Sequence, residues 1–295
     1  MSHVPVLLNE VVGILDPQKG EFFIDGTFGE GGHATEILRR ITPGGTFLGV
    51  DWDPEILERN ADLPNRWPQN TVILENGNYA DTFRMLKDHY LRKADGMIVD
   101  LGFSSWHIDE SGRGFSFAKD EPLDMRYNPE RNDRTAYEVV NSLPETELAD
   151  VIYQYGEERN SRRIAKRIVD ERRKKKIETA HELSEIVNSA FHFKGGKLSP
   201  ATKTFQAIRI YVNGEFENIQ KLLGSLPEIL KPGGRLGIIT FHSLEDKLVK
   251  DAFKLLHQKG QVDFLNKKVI KPGREEIIKN PKSRSAKLRA IHLKN

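Results

Sequence analysis

Apolar and polar positions along this 295-residue chain change rhythm twice. Between residues 21 and 101, short apolar runs alternate with stretches whose apolar residues recur every three or four positions. The runs 21–25, 46–51, 71–75 and 96–101 predict strands. The stretches 33–41, 54–61 and 80–91 predict helices, with Pro54 fitting a first helical position. This alternation predicts a parallel sheet with helices on both faces. From about 135 to 192 the rhythm is helical throughout, over 135–143, 145–155, 161–175 and 179–191. In the third of these, Ile164, Ile168 and Val169 form a narrow apolar stripe among charges. A helical insertion is the simplest account. The strand pattern then resumes: a helix at 216–230, the turn signal Lys231-Pro232-Gly233-Gly234, a strand at 235–241, and a helix at 244–257. Two further strand-like runs, 262–270 and 286–293, bring the count to seven and suit an antiparallel pair with a long connection. There is no internal repeat and no low-complexity linker.

Composition narrows the classes. Hydrophobic residues make up 38%, enough for a core, and no apolar run approaches the roughly 18 residues of a membrane helix. Met1-Ser2-His3-Val4-Pro5 lacks the basic and apolar blocks of a signal peptide. There are no cysteines, hence no disulfide framework and no thiolate metal site. A soluble cytoplasmic protein is expected. Missing cysteine also removes the nucleophile commonly needed for carbon-5 methylation of pyrimidines.

Charge is unevenly spread. The net value is +2, yet residues 1–105 hold 9 Lys/Arg against 16 Asp/Glu, a net of −7. Residues 159–176 hold 10 basic against 2 acidic groups, and residues 266–295 repeat that ratio, each a net of +8. Two basic blocks beside an acidic half point to a polyanionic partner. Solvated surface is the plain alternative for either block taken alone.

Candidate chemistry concentrates after the first strand. Phe22-Phe23-Ile24-Asp25 runs into Gly26-Thr27-Phe28-Gly29-Glu30-Gly31-Gly32-His33, a glycine-rich turn opening a helix. Glycine lets the backbone turn tightly and approach a ligand where a Cβ would clash. Eighteen residues past His33, the second strand ends at Asp51, a carboxylate placed to accept from a ribose. An adenosine-containing cofactor is expected. Gly29 to Ala34 formally fits the dinucleotide pattern G-x-G-x-x-G/A, so a nicotinamide oxidoreductase stays open beside an ordinary strand-to-helix turn. Asp25 argues against a diphosphate, which it would repel at the helix N-terminus. Its spacing resembles motif I of S-adenosylmethionine (SAM) methyltransferases, with Thr27 where the first glycine usually stands. SAM is cationic at sulfur and nitrogen and tolerates nearby acids.

In a doubly wound sheet, ligands bind outside the carboxyl ends of the strands. The third strand delivers Asn76-Gly77-Asn78-Tyr79, with Tyr79 able to lie against an adenine. The fourth delivers Asp100-Leu101-Gly102-Phe103-Ser104-Ser105. An exocyclic amine is a poor nucleophile that must be held in line by acceptors for its N–H groups, and Asp100, Ser104 and Ser105 are candidates. His242 opens the helix after the fifth strand, as a pocket-rim group or as a helix cap. No His/Asp/Glu set has convincing metal spacing, so no metal is expected.

Long segments in order resemble the RsmH (MraW) family. They are His3-Val4-Pro5-Val6-Leu7-Leu8-Asn9-Glu10, the glycine loop, Asp100 to Ser105, Arg113-Gly114-Phe115-Ser116-Phe117 and Leu123-Asp124-Met125-Arg126. The series continues with Tyr155-Gly156-Glu157-Glu158-Arg159, Pro200 to Arg209, Phe241 to Asp246 and Ser283 to Arg289. The resemblance implies a class I SAM methyltransferase, an α/β Rossmann-like fold with a seven-stranded sheet and an inserted all-helical domain. It implies methylation of the exocyclic N4 amine of a cytosine, 1402 in standard numbering, in the decoding region of bacterial 16S rRNA. The partner would be 16S rRNA within the small ribosomal subunit. Implied cofactor contacts map to Gly31, Gly32, His33, Asp51, Tyr79, Asp100 and His107. The chain departs from the family at Ser105-Trp106-His107-Ile108-Asp109, where Ser-Pro-Gln-Leu-Asp is usual, and at Tyr127, where methionine is frequent. Asp124, Arg126, Arg159, Arg162 and Arg163 are substrate-binding candidates, with a surface ion-pair network as the alternative. The expected domains are 1–108 with 206–295 for the cofactor, and 109–205 for the RNA. Rival functions are an oxidoreductase, a non-catalytic RNA-binding assembly factor that keeps a SAM fold, and a methyltransferase of small molecules or protein.

Overall fold

The computed structural model of the chain describes residues 5–102, 104–191 and 201–294, and of Ser105 the backbone alone. His3, Val4, Phe103 and Pro200 of the motifs above lie outside the described residues. The chain divides into two compact units, Met1–Gly102 with Phe216–Asn295, and Phe103–Glu215. The breaks fall at 102/103 and 215/216, where the sequence had suggested 108/109 and 205/206.

The first unit is built on one seven-stranded sheet of order β3-β2-β1-β4-β5-β7-β6. Its strands are β1 Phe22–Asp25, β2 Thr46–Asp51, β3 Thr71–Asn76, β4 Ala94–Asp100, β5 Leu230–Thr240, β6 Val262–Phe264 and β7 Lys287–Leu293. β1 to β5 pair in parallel, while β7 runs antiparallel to both β5 and β6. Seven strands closing in an antiparallel pair make the class I methyltransferase sheet that the sequence implied. All four residues of β1 are buried. Successive side chains point to opposite faces, so both faces of this central strand are covered. The turn signal at 231–234 lies inside β5: Ala94 pairs with Leu230 and Gly96 with Arg235, so four residues bulge from the ladder. The last two strand-like runs shorten, because pairing of 262–270 persists only over β6 and at one bridge, Ile270 to Leu288.

Helices follow the expected places with local breaks. The stretch 216–230 divides into Glu215–Gly224 and Leu226–Ile229, since Pro227 cannot continue an α-helical ladder from the preceding turn. A helix not expected, Leu8–Leu15, buries Val11, Val12 and Leu15.

In the second unit, helices Ala136–Ser142, Glu145–Gly156, Ser161–Arg172, Ala180–Ser189 and Ala201–Asn213 enclose their own core. Val140, Leu148, Ile152, Ile164, Ile168, Leu183 and Ile208 are wholly buried there. Thr135 with Glu138 and Thr179 with Glu182 form capping boxes that start two of these helices where the sequence placed their beginnings. No helix among the described residues is long and apolar enough to cross a membrane.

Candidate functional site

The carboxyl ends of β1, β2, β3 and β4 converge through backbone contacts in the first unit. Gly26 N–H donates to Ile98 O at 2.9 Å and Phe28 N–H to Val50 O at 2.8 Å, so the loop after β1 is bonded to both neighbouring strands. A Cβ on Gly26 would stand 2.9 Å from Met97 Cε and 3.0 Å from Tyr79 Cβ. Gly31 holds φ at +73°, and a Cβ there would meet the Phe28 ring at 2.9 Å. The helix Gly32–Ile41 begins directly after it. Asp51 Oδ2 accepts from Gly29 N–H at 2.8 Å, and its Oδ1 from Asp53 N–H at 2.9 Å. Gly77 N–H donates to Asp51 O at 3.0 Å, bringing the Tyr79 loop to the same place. Gly31, Gly32, Asp51, Tyr79 and Asp100 thus gather at one end of the sheet. His33 stands in the first turn of the helix beside them, with its buried ring Nε2 3.0 Å from Val6 O.

Thr27 is a residue the pattern flagged only as a departure. Its hydroxyl accepts from Asp100 N–H at 2.6 Å, tying the end of β1 to the end of β4. Its own N–H donates to Asp25 Oδ1 at 3.1 Å. Asp25 is 1% exposed, and its Oδ2 is buried without a hydrogen-bond partner among the described residues. Loss of hydration pushes the Asp25 carboxyl up to about 7, and the charges of Asp100 and Asp51 add to the push. Asp100 is likewise raised to about 7, by loss of hydration first and then by Glu245, against the lowering effect of its bond from Gly102 N–H. Asp100 keeps some surface exposure and Asp25 almost none, so the greater strain belongs to Asp25.

His242 is the N-cap of the helix Ser243–Gln258. Its Nδ1 accepts from Glu245 N–H at 3.4 Å, while Glu245 Oε2 accepts from Phe241 N–H at 2.8 Å and His242 N–H at 3.3 Å. Of the two readings of His242, the cap is the one these bonds describe. His242 Nε2 lies 2.9 Å from Glu245 Oε1, within ion-pair distance though not aligned as a hydrogen bond.

The remaining candidates lie in the second unit. Ser104 caps the short helix Ser105–Asp109, and its Oγ is 2.9 Å from His107 Nδ1. The Ser105 side chain is outside the described residues. Arg126 is bidentate on Asp124, at 2.9 and 2.7 Å, and gives its remaining guanidinium nitrogen to Pro129 O and Asn132 O. These bonds fix the loop 124–132 and leave the pair little freedom to grip a ligand.

The basic block at 159–176 separates into two populations. Arg172 donates to Val140 O at 2.6 Å and Leu143 O at 2.5 Å, closing the end of the helix Ala136–Ser142. Arg167 and Lys174 pair with Glu171, Arg173 with Asp170 and Lys175 with Glu182. Arg159, Arg162, Arg163 and Lys166 are exposed and form no ion pair among the described residues. Arg172→Ala should therefore destabilise the fold by about 2 kcal/mol by leaving two helix-end carbonyls unanswered. Arg162→Gln should leave the melting temperature unchanged. Thermal unfolding of the two variants side by side checks this, and equal melting temperatures would refute the division.

Residues 1–294 match the model of the MraW methylase family. The chain belongs to that family. It is 44% identical to a ribosomal RNA small subunit methyltransferase H from Acidobacterium capsulatum, over 99% of this chain and 98% of that one. A namesake from Rickettsia conorii is 43% identical over 98% and 97%, and one from Coprothermobacter proteolyticus 42% identical over 99% and 96%.

A methylase of the MraW family takes its methyl group from SAM, and the residues of the first unit fit that cofactor. Gly26 and Gly31 leave the backbone bare where a side chain would collide. The charges of Asp51 and Asp100 both act on the buried Asp25 carboxyl at the strand ends. A cofactor with a sulfonium and an ammonium relieves that repulsion, whereas a diphosphate would add to it. Among the basic residues near the C-terminus, Lys287 and Arg289 are held by Asp246, while Lys267, Lys268, Lys271, Arg274, Lys279 and Arg284 are exposed and unpaired among the described residues.

Proposed function

We propose that this methylase transfers the methyl group of SAM to the exocyclic N4 amine of cytosine 1402 in the decoding region of 16S rRNA, presented within the small ribosomal subunit in the cytoplasm. The observation that carries the reading is the crowding of Asp25, Asp51 and Asp100 around a bare glycine loop. The lack of cysteine, the names of the relatives and the unpaired arginines point the same way.

When bound, SAM supplies an electrophilic methyl on sulfur. Asp51, the carboxylate at the end of β2, would accept from ribose hydroxyls. The helix N-terminus at Gly31, Gly32 and His33 would hold the carboxylate of the methionine end, as helix N-termini receive anions. Tyr79 would lie against the adenine. Asp100, at the end of β4, would accept from an N–H group of the amine and help to orient it. After transfer the amine carries an extra proton, which leaves to water. His107 stands among the cofactor contacts in the resemblance, and its ring here is committed to the Ser104 hydroxyl.

Arg159, Arg162 and Arg163 meet backbone phosphates. Arg162→Gln with Arg163→Gln should weaken binding of rRNA and lower the slope of log affinity against log salt by about 2. Filter binding over a salt series measures it, and an unchanged slope would remove these residues from the interface. The reaction itself is tested with labelled SAM on unmethylated small subunits and on naked 16S rRNA, followed by mass spectrometry of the nucleosides. N4-methylcytidine is the expected product. Methyl on a ring atom, or none on either RNA, would overturn the reading.

A further inference from the structure

We propose that the connection between β6 and β7, residues 265–286, is a phosphate-docking surface of the first unit that holds an RNA backbone at the cofactor end of the sheet. The inference rests on the reading of the chain as an rRNA methyltransferase. Topology fixes where the connection lies. β7 starts at Lys287 opposite Thr240, the last residue of β5, and β6 runs antiparallel to β7. The chain therefore leaves β6 and enters β7 on the side where β5 ends. β5 is parallel to β4, with Ile239 opposite Asp100, so this is the end of the sheet where the glycine loop, Asp51 and Asp100 gather.

The connection is anchored inward and charged outward. It holds seven Lys/Arg against two Asp/Glu. Lys267, Lys268, Lys271, Arg274, Lys279 and Arg284 are exposed and form no ion pair among the described residues. Its backbone is pinned at several points. Asn266 Oδ1 accepts from Ala290 N–H at 2.7 Å, Ile270 and Leu288 exchange backbone bonds at 3.1 and 2.9 Å, and the buried Ser283 donates its hydroxyl to Asn280 O at 2.8 Å. Glu276, one of the two acids, is engaged within the fold, where its Oε1 accepts from Leu7 N–H at 2.8 Å. One residue earlier, Val6 O lies 3.0 Å from His33 Nε2, and Pro5 sits against Gly32. The basic connection is thus tied to the flank of the cofactor loop.

A fixed backbone with free cations suits a polyanion. Phosphates release their condensed counterions on meeting it, and no ion pair within the protein has to break. The residue types select the part of the RNA that is held. Residues 265–286 contain no aromatic side chain, hence no ring on which a base would stack. Lysine and arginine on phosphates fix register and orientation without reading sequence. Ile278 is the large apolar residue left exposed in the connection, short of the apolar face with which a basic helix enters a membrane surface.

The test is a full-length chain carrying Lys267→Gln, Lys268→Gln and Lys271→Gln, against a control carrying Lys19→Gln, Lys254→Gln and Lys259→Gln. The control loses the same charge from exposed positions near the other end of the sheet: Lys19 precedes β1, and Lys254 and Lys259 stand at the end of the helix Ser243–Gln258, before β6 begins. Filter binding of 16S rRNA over a salt series should show the slope of log affinity against log salt lowered by about 3 in the first variant and by less than about 1 in the control. The loss should be equal on an RNA of unrelated sequence. KM for the rRNA should rise about tenfold with kcat within about twofold, while the SAM dissociation constant and the melting temperature stay at their wild-type values. An unchanged slope, or an equal fall in the control, would overturn the inference. So would binding to phosphatidylserine vesicles that the first variant loses while its rRNA slope holds. Wild-type enzyme that binds rRNA yet leaves the cytosine amine unmethylated defeats the functional reading instead, and the slopes still decide the docking surface.

Discussion

Asp51→Ala should abolish methyl transfer and weaken SAM binding at least a hundredfold while the sheet stays folded. Both carboxylate oxygens already hold the loop, one on Gly29 N–H at 2.8 Å and one on Asp53 N–H at 2.9 Å. Hydrogen bonds to a charged group contribute roughly 1.5–3 kcal/mol each, and every 1.4 kcal/mol is about a factor of ten in affinity. Removing the carboxylate releases Gly29, held at a φ of +55°, and also deletes the acceptor for the ribose. The loss falls on a binding loop, so the melting temperature should drop by only a few degrees. Asp51→Asn keeps one acceptor oxygen and should fall between alanine and wild type. Isothermal titration with SAM, paired with thermal unfolding, measures both effects. An alanine variant binding SAM within threefold of wild type would remove Asp51 from the cofactor site.

The position of Asp51 was legible in the sequence because it depends on chain order: it is the last residue of the second strand of a βαβ series. The same holds for Gly31 and Asp100. Asp25 was visible as an unusual acid, but that its Oδ2 is buried without a hydrogen-bond partner among the described residues depends on tertiary packing. Arg172 misled for the opposite reason. Composition placed it in a phosphate-gripping block, yet it bonds to Val140 and Leu143, about thirty positions earlier in the chain. Pairing across that separation leaves no local trace. The helix Ala201–Asn213 was present in the pattern and passed over: Ala201, Phe205, Ile208 and Val212 recur at four, seven and eleven positions, and all four are buried in the helical core. The rings of His107, Phe115 and Tyr127 come together from three segments, and only packing shows that the departures at 106–107 and at 127 meet.

Stability of the ligand-free protein and its affinity for SAM should respond to pH in opposite directions, and Asp25→Asn should flatten both responses. Asp25 and Asp100 stand at about 7 in the folded chain, against an ordinary carboxyl value of 3.8. Between these limits the folded state holds protons that the unfolded state has released. Linkage then requires stability to fall as pH rises through that window, by at most about 1.4 kcal/mol per unit for each group. Below 3.8 both states are protonated and the penalty vanishes. A bound cation reverses the sense, since it favours the ionised carboxylates. SAM should bind more tightly as pH rises from 6 to 8, with protons released near pH 7. S-adenosylhomocysteine lacks the sulfonium charge and should show the shallower dependence. Asp25→Asn keeps an acceptor for Thr27 N–H and removes the buried charge, so the empty protein should gain stability at pH 8 while SAM affinity falls. Titration calorimetry in two buffers of different ionisation enthalpy counts the protons. SAM affinity that is flat from pH 6 to 8, with no proton released, would mean that the carboxylates at the strand ends do not sense the cofactor's charge. The crowding that strains the empty sheet would then need another cause.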